Sequence, residues 1–373
     1  MTKSISCGIR AALAPAMRRA IAGPSAAMLA AGAMLLGANT AAAETRPAAC
    51  DRACLEGLVT QYLDAVVDNK PAAVPLSPNV RFTEDGQRLL IGDGLWNTMK
   101  GKGNYRLYVT DVDAGQVTFL GTIQEDHSDP GKFNGSLIAL RLLVKNRQIA
   151  EVEQIVFRFP DEKNNESYQR VDTMSVHPKL LATVPQNERL SRADLVQQGG
   201  KYFTGLQKND GKGDYPFTPD CLRHENGHQT TLAPTPAGEQ RPDPATANNY
   251  SAQWSCTEQF ESGLMAFVNR IRDRRFVAVD QERGLVFAFA FFDHSGGETR
   301  RFRDVRGREV VAGPAQPHTW QVAEIFKIEK GLISKVDAFL RRSPYGMNSG
   351  WSTWEQGMSD IVRDVTFEAP AGI

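Results

Sequence analysis

Apolar residues recur at every third or fourth position near the start of each half of the chain. In the first half this spacing covers residues 54–69, which predicts an amphipathic helix. In the second half a similar spacing follows Ser191, and Asp194 three residues later gives this stretch a start that resembles a capping box. The sequence therefore predicts that each half opens with a helix, and the buried face of the second helix extends to Leu206.

Stretches of β-branched and aromatic residues follow each predicted helix and are separated by turns that contain glycine. Such stretches predict β-strands. In the first half, a short strand and turn at 80–86 and a short helix near Leu95 precede the longer strands. The longer strands are predicted at 105–112, 116–124, 136–145 and 148–159 in the first half, and at 275–280, 285–294, 319–329 and 332–342 in the second. Helices followed by a long antiparallel sheet predict an α+β fold.

Three short motifs occur twice, in the same order, along the chain. They are Glu84-Asp85-Gly86 with Glu225-Asn226-Gly227, Asp111-x-x-x-Gly115-x-Val117 with Asp280-x-x-x-Gly284-x-Val286, and Ile149-x-x-Val152-Glu153 with Ile333-x-x-Val336-Asp337. The offset between the copies increases from 141 to 169 to 184 residues, and the extra residues fit the loop-like stretches 232–250 and 296–317. This pattern predicts a tandem repeat, with a first copy at 50–180, a second copy at 186–346 and a C-terminal tail at 347–373.

The first 43 residues differ in composition from the rest of the chain. They contain no acidic residue, carry a run rich in Ala, Leu and Met, and end with three alanines at 41–43. This composition predicts a secretory signal peptide at 1–43, and hence a periplasmic or secreted mature protein. A membrane helix is the weaker interpretation because a Gly-Pro pair at 23–24 interrupts the apolar run. The pair Arg18-Arg19 leaves both general secretion and twin-arginine export open.

Charge argues against one class of partner. The whole chain has 43 basic and 43 acidic residues, and four of the basic residues lie in the predicted signal peptide, so the mature chain has a net charge near −4. A protein that binds duplex nucleic acid normally presents a net basic surface, and we therefore expect no nucleic-acid partner. After cleavage of the signal peptide we expect no membrane contact either.

Four cysteines remain after the predicted signal peptide: Cys50, Cys54, Cys221 and Cys256. An even number in an exported protein predicts disulfides, and four cysteines allow three pairings. We favour Cys50 with Cys54 and Cys221 with Cys256, because each pair lies within one repeat. The spacings lack paired Cys-x-x-Cys motifs, so no metal site is predicted.

The order of the predicted elements resembles that of the nuclear-transport-factor-2-like superfamily. The resemblance covers 52–158 and 190–342 and includes the turn and strand Gly331-Leu332-Ile333-Ser334-Lys335-Val336-Asp337. Three further segments are similar to SnoaL-like secreted proteins with two such domains: Cys50-Asp51-Arg52-Ala53-Cys54-Leu55, Ile271-Arg272-Asp273-Arg274-Arg275-Phe276 and Pro344-Tyr345-Gly346.

The resemblance implies two tandem cone-shaped domains, each a curved antiparallel sheet whose concave face is covered by the N-terminal helices. It also implies that the domains pair through the convex sides of their sheets as an intramolecular pseudo-dimer, with further oligomerisation left open. Members of the superfamily include isomerases, lyases and cyclases, and also proteins that only bind ligands or partners. The chemistry therefore has to be argued from individual residues.

The two copies differ in residues that can transfer protons. The second copy has a histidine beside a carboxylate where the first copy has no histidine: His224-Glu225 in place of Thr83-Glu84, and Asp293-His294 in place of Gln124-Glu125. Imidazole titrates near neutrality, and beside a carboxylate in an apolar cavity it can act as a poised base. We therefore interpret the second copy as the functional one and the first as a scaffold.

Strand alternation restricts which of these side chains share a cavity. Only one of Asp293 and His294 can enter it unless a bulge intervenes, and parity groups His294 with Ala288 and Ala290. Alternation also places two arginines on one face and their neighbours on the other, namely Arg272 and Arg274 opposite Asp273 and Arg275.

The candidate site residues follow from these patterns. The predicted catalytic residues are His224, Asp293 and His294 for proton transfer, with Arg274 and Tyr345 to hold a developing oxyanion. The predicted substrate contacts are Glu225, Arg272, Tyr202 and Trp320. Interpretations without a catalytic role also stay open. The histidines fit solvated strand ends, the arginines fit a basic run that pairs with its own acidic neighbour, and the tyrosine fits a loop aromatic that packs on the protein.

No phosphate loop, dinucleotide glycine pattern or nucleophile motif is present in the sequence, so no cofactor is expected. The favoured function is a cofactor-independent lyase or isomerase that acts by general acid/base proton transfer. Its substrate would be a small cyclic or aromatic molecule in the cavity of the second copy. The alternatives are a non-catalytic periplasmic protein that binds small molecules, and a protein-interaction module.

Overall fold

Residues 50–158 and 171–365 are described by the structure, which is a computed structural model. The predicted signal peptide at 1–43 lies outside the described residues, as does the end of the predicted tail at 366–373. The elements of the first half are α1 (Arg52–Val67), β1 (Leu76–Glu84), β2 (Gln87–Arg88), α2 (Leu95–Thr98), β3 (Met99–Asp111), β4 (Gln116–Asp126), β5 (Phe133–Lys145) and β6 (Gln148–Phe157). The elements of the second half are α3 (Pro178–Leu181), α4 (Arg192–Leu206), β7 (Phe217–Glu225), β8 (His228–Gln229), α5 (Cys256–Glu261), β9 (Arg270–Asp280), β10 (Leu285–His294), β11 (Arg301–Arg303), β12 (Glu309–Val311), β13 (His318–Glu329), β14 (Leu332–Ser343), α6 (Trp354–Met358) and β15 (Arg363–Asp364).

The two long helices begin at side chains that cap them. The Asp51 carboxylate accepts a hydrogen bond from the backbone N–H of Cys54 at 2.9 Å, and the Ser191 hydroxyl accepts one from the N–H of Asp194 at 3.2 Å. Such caps satisfy backbone donors that have no partner within the first turn. The helix predicted at 54–69 is confirmed as α1, and the helix predicted to begin at Ser191 is confirmed as α4.

Each half forms one large curved sheet. The first sheet has the strand order β2-β1-β6-β5-β4-β3, and the second has the order β15-β9-β10-β13-β14-β7-β8. The long consecutive strands pair antiparallel, as predicted, whereas β1 and β7 lie parallel to the last long strand of their own sheets. Parallel pairing requires a connection that crosses the sheet, which the intervening strands provide. The α+β class and the presence of two large sheets are confirmed.

The strand registers align the repeated motifs in the same way in both sheets. Thr83 lies opposite Glu153 in the first sheet, and His224 lies opposite Asp337 in the second. The antiparallel pairs of β4 with β5 and of β10 with β13 show the same correspondence. The offsets read from the sequence therefore relate structurally equivalent positions, so the two copies can be compared residue by residue.

The two sheets pack face to face, and a helix covers the opposite face of each. We call the two contacting faces inner and the helix-covered faces outer. On the outer faces, α1 packs on the first sheet and α4 on the second. Between the inner faces lies one buried apolar cluster, which we call the seam; it includes Tyr105, Leu107, Leu137, Phe157, Phe287, Phe289, Ile325 and Phe339. The resulting order of layers is helix, sheet, sheet, helix.

Reciprocal ion pairs flank the seam. The Arg52 guanidinium, at the start of α1, donates to both carboxylate oxygens of Asp280 at 2.7 and 2.9 Å. The Arg192 guanidinium, at the start of α4, donates to Asp111 at 2.5 Å. Arg52 and Arg192 occupy equivalent positions, as do Asp111 and Asp280, so each copy provides the same contact to the other. The seam therefore has the approximate two-fold character of an isologous interface.

Both predicted disulfides are confirmed. Cys50 bonds to Cys54 at the start of α1, and Cys221 bonds to Cys256, which ties β7 to α5. These bonds indicate an oxidising environment. Within 50–158 and 171–365, no helix is long and apolar enough to cross a membrane.

The two disulfides should differ in their contributions to stability. Crosslinks that close longer loops restrict the unfolded chain more, so a Cys221→Ser/Cys256→Ser protein should lose about 3–4 kcal/mol of unfolding free energy, against about 2 for Cys50→Ser/Cys54→Ser. Urea unfolding of both double variants without reductant would test this. An equal loss, or a larger loss at the short loop, would contradict it.

Candidate functional site

A cavity of about 170 Å³ lies on the outer face of the second sheet. We call it the outer cavity. Its polar and amphipathic lining residues are Arg223, Glu225, Tyr250, His294 and Trp320, and its apolar lining residues are Leu206, Met265, Phe267, Val268, Phe292 and Leu340. A mostly apolar wall with a few convergent polar groups is the usual composition of a small-molecule site.

Arg223 is the cation of the outer cavity. Its guanidinium is fully buried and donates to Gln259 Oε1 at 2.5 Å and to Thr230 Oγ1 at 3.0 Å, and its Nε lies 3.1 Å from Glu225 Oε1. The disulfide at Cys221, two residues earlier on β7, connects this strand to the helix that carries Gln259. Arg223 is therefore held in place from two sides.

Glu324 lies behind the outer cavity, on the same face of β13 as Trp320. Burial and the nearby Glu225 raise its pKa, Arg223 and Tyr202 partly oppose the shift, and the resulting pKa is about 8. The carboxyl is therefore protonated at neutral pH. One of its oxygens, Oε2, has no hydrogen-bond partner in the part of the chain that the structure describes. Glu324 thus offers a neutral acid with unused hydrogen-bonding capacity.

The first copy has apolar residues at the equivalent positions. Register places Phe82 where the second copy has Arg223, and Leu140 where it has Glu324. Both apolar side chains are part of the packed outer core of the first sheet. The second copy has therefore replaced a buried apolar pair with two buried ionisable groups, which costs free energy unless each group is satisfied.

The carboxylate that corresponds to Glu225 is closed off in the first copy. Glu84 Oε2 accepts hydrogen bonds from the backbone N–H of Leu95 at 2.8 Å and from Gln154 Nε2 at 2.9 Å. The short helix α2 supplies the first of these donors and packs Trp96 into the same core. The first copy thus uses this face for packing, whereas the second leaves a cavity there.

His294 lines the outer cavity as a neutral imidazole. Its Nδ1 lies 3.2 Å from the carbonyl oxygen of Phe292, which can only accept, so we assign the proton to Nδ1 and the lone pair to Nε2. Burial and the neighbouring His318 lower its pKa to about 4. The two imidazole rings stack with centroids 4.9 Å apart. His294 therefore presents an uncharged proton acceptor.

Asp293 points to the opposite face from His294, as the alternation predicts. Its carboxylate accepts hydrogen bonds from Arg270 at 2.6 Å, from Arg272 at 2.8 Å and from Thr319 at 2.6 Å. Burial raises its pKa, but the hydrogen bonds from Arg272 and Thr319 outweigh burial and lower it. The structure therefore places Asp293 and Arg272 in a buried ion pair, away from the outer cavity.

The predicted alternation of the arginines is wrong because β9 contains a bulge. Asp273 has a φ of 49°, and the register with β10 shifts beside it. Arg272 therefore reaches Asp293, whereas Arg274 donates to Thr204 Oγ1 of α4 at 3.0 Å. Burial lowers the pKa of Arg274 to about 10, so it remains cationic at neutral pH. Arg274 does not line the outer cavity.

Two predicted tyrosines differ in their surroundings. Tyr345 is 47% exposed, and its hydroxyl lies 3.0 Å from the hydroxyl of Ser295, apart from the lining of the outer cavity. Tyr202 of α4 is buried beneath Arg223, whose Nη1 lies 3.5 Å from the tyrosine hydroxyl. Of the nine predicted site residues, Glu225, His294 and Trp320 line the outer cavity and Tyr202 supports it.

His224 faces a different cavity, of about 290 Å³, at one end of the seam. We call it the seam cavity; its lining comes from Tyr105 of β3, from residues 173–178 and from β7 and β14. The buried Lys335 ammonium donates to His224 Nδ1 at 2.7 Å and to Asp337 Oδ1, and Tyr105 Oη donates to Asp337 Oδ2 at 2.5 Å. Because an ammonium only donates, His224 carries its proton on Nε2.

The charge state of His224 follows from the same contacts. Burial and the Lys335 charge lower its pKa to about 4, so the imidazole is neutral at physiological pH. Burial also lowers the pKa of Lys335, although Asp337 opposes this shift. Lys335, Asp337 and Tyr105 were not predicted as site residues, because strand alternation cannot indicate which side chains meet across the seam.

Comparison with known proteins provides a match to one family. Residues 188–340 match the model of a domain of unknown function, DUF8021. The matched range contains all residues that line the outer cavity. No curated protein matches the chain. Within residues 50–158 and 171–365, no group of three or more His, Cys, Asp or Glu side chains is arranged to hold a metal ion.

Glu324 should reduce stability in a pH-dependent way. The pKa of Glu324 is higher in the folded protein, at about 8, than in the unfolded chain, at about 4.5. The free energy of unfolding is therefore unaffected by its ionisation below about pH 4.5 and decreases as the pH rises towards and through about 8. Glu324→Leu, which restores the first-copy residue, should therefore be more stable than wild type by about 1–3 kcal/mol at pH 7, with a gain that grows with pH.

Urea unfolding at several pH values would test this expectation. Glu298→Leu, at a 95% exposed side chain, is the control and should change stability by less than about 0.5 kcal/mol. A Glu324→Leu protein that is less stable than wild type would contradict the expected cost of burying Glu324. A variant with the pH slope of wild type would contradict the raised pKa of Glu324 in the folded protein.

Proposed function

We propose that this protein is a cofactor-independent lyase or isomerase that moves protons on a small cyclic or aromatic molecule in the outer cavity. One observation carries the proposal. Arg223 and Glu324 are buried ionisable groups at positions where the first copy has Phe82 and Leu140, and Glu324 keeps an oxygen without a partner among the described residues. Selection for packing alone favours the apolar pair, so the ionisable pair supports a chemical role.

The proposed reaction uses three side chains. His294 Nε2 accepts a proton from the carbon next to a carbonyl group, the electron pair of the broken C–H bond forms a C=C bond, and the carbonyl π pair moves to the oxygen. The Arg223 charge, in the lining of the outer cavity, stabilises the negative charge that develops on that oxygen, and the Glu324 carboxyl behind the lining donates a hydrogen bond to the same oxygen. In an isomerase the electron pair on the oxygen re-forms the carbonyl, and the protonated imidazole delivers its proton to another carbon. In a lyase the same electron shift breaks the bond to a leaving group, which takes the proton.

The proposal extends to family, shape and compartment. We propose a SnoaL-like member of the nuclear-transport-factor-2-like superfamily, with two cone-shaped domains whose concave faces are covered by α1 and α4. The first copy acts as a scaffold and the second as the functional domain. The two disulfides support a periplasmic or secreted location. The aromatic and apolar lining of the outer cavity supports a small cyclic or aromatic substrate.

A screen of the purified mature protein would test the proposed function. Aromatic, terpenoid and steroid-like compounds are scored for thermal stabilisation and, by mass spectrometry, for conversion. For a converted compound, Glu324→Gln and His294→Ala should each lower turnover about 10²–10⁴-fold while thermal stabilisation remains. His127→Ala, which removes an imidazole from a turn after β4 in the first copy, should leave turnover unchanged.

Two outcomes would overturn the enzyme proposal. Stabilisation by compounds that no protein converts would favour the binding-protein alternative. Turnover that survives both Glu324→Gln and His294→Ala would place the chemistry outside the outer cavity.

A further inference from the structure

The tandem repeat makes the two ends of the seam structurally equivalent, but different side chains occupy the space at each end. Thr83 and Glu153 lie at the first end, and their counterparts His224 and Asp337 lie at the second. The reciprocal ion pairs of α1 and α4 relate the two ends by an approximate two-fold rotation. Equivalent positions at the two ends can therefore be compared directly, and a difference between them marks a site where one copy has diverged from the other.

At the first end an aromatic ring fills the space beside Thr83. The Trp351 indole donates from Nε1 to Thr83 Oγ1 at 2.8 Å and lies under the guanidinium groups of Arg81, at 4.0 Å, and Arg141, at 4.5 Å. Trp351 is only 8% exposed. It belongs to the segment that follows β14, and this segment places Met347 against Gly86.

At the second end the described residues that follow β6, 171–178, make a corresponding contact. Met174 packs against Gly227, the counterpart of Gly86, just as Met347 does at the first end. Four residues after Met347 the chain has Trp351, and four residues after Met174 it has Pro178. The compact proline ring lines the seam cavity and does not fill it. The space that an indole occupies at the first end is thus open at the second.

Two imidazoles of the seam cavity are hydrogen-bond donors, and the Asp337 carboxylate in its lining is already engaged by Lys335 and Tyr105. His224 carries its proton on Nε2 because Lys335 donates to its Nδ1. His177 accepts the backbone N–H of Lys179 at Nδ1, at 3.2 Å, so its proton also resides on Nε2. Both imidazoles line the cavity, and the Lys335 charge lies directly behind His224. This arrangement suits an acceptor oxygen, and a carboxylate most of all.

The remaining wall suits a flat ring. Phe339, Met174 and Val176 contribute apolar surface to the cavity. Aromatic faces and a thioether make favourable contacts with an aromatic ligand. The cavity volume, about 290 Å³, is at the lower end of the range for ligand sites.

We infer that the seam cavity is a second ligand site, separate from the outer cavity, which binds a planar aromatic carboxylate of about the size of an indole. The ring takes the place that Trp351 has at the opposite end, and the carboxylate accepts hydrogen bonds from His224 and His177. Because the site is built from both sheets and from residues 173–178 after β6, ligand binding stabilises the packing of the two halves.

Calorimetric titration of the full mature protein with indole-3-carboxylate and with indole tests this inference. The wild type should bind indole-3-carboxylate saturably, with one site per chain and at least about tenfold more tightly than indole. Pro178→Trp, which copies the first end, should abolish the binding of both compounds. His224→Thr, which installs the first-end residue, should reduce the affinity for indole-3-carboxylate to that for indole.

Two controls separate this site from the outer cavity. Val268→Trp, which fills the outer cavity, should bind indole-3-carboxylate as the wild type does, and Trp351→Ala should gain a second site that binds indole. Lack of saturable binding to the wild type overturns the inference, as does binding that persists in Pro178→Trp. A carboxylate preference unchanged in His224→Thr overturns it as well, and this variant carries the test if Pro178→Trp does not fold.

Discussion

The packing of the two sheets against each other is the constraint on which the rest of the structure depends. Each inner face carries a large apolar cluster, and the other copy covers it. Buried carboxylates along the seam depend on the other copy in the same way. Glu153 accepts hydrogen bonds from Arg141 of its own sheet at 3.1 Å and from Arg275 of the other at 2.6 Å. Separating the copies would leave such charges unpaired, which is strongly unfavourable.

This mutual dependence explains how the copies could diverge on their outer faces. Stability is supplied jointly by the seam and by the core of the first copy, so the second copy can carry buried groups that do not pack optimally. Arg223 and Glu324 are such groups, and the disulfide from Cys221 to Cys256 reinforces the strand and helix beside them. The same asymmetry appears at the ends of the seam. Trp351 fills the space at the first end, and the equivalent space at the second end is the open seam cavity.

Much of this architecture could be predicted from the sequence because it depends on local periodicity. The period of two along β10 places His294 and Asp293 on opposite faces, and the structure confirms this. The same reasoning failed at β9, because the bulge at Asp273 is a backbone feature that the pattern of arginines does not reveal. Predictions from alternation hold only where the strand is regular.

Other parts of the site could have been found but were not. Comparison of the two copies at matched positions identified the histidines. The offset of 184 residues also pairs Leu140 with Glu324, but this difference was not used in the prediction. A charged residue in an apolar strand was the available signal. The seam cavity had no such signal, because it depends on how residues 173–178 pass over the second sheet. That path is determined by tertiary contacts and leaves no periodic pattern.

The central claim is that the second copy keeps a neutral carboxyl group beside Arg223, and vibrational spectroscopy tests it most directly. The infrared difference spectrum between wild type and Glu324→Gln at about pH 6 should show the carbonyl stretch of a protonated carboxylic acid in the wild type. This band should be replaced by carboxylate bands as the pH passes about 8. A spectrum with carboxylate bands alone at about pH 6 would mean that Glu324 is ionised in the folded protein, and it would contradict the account.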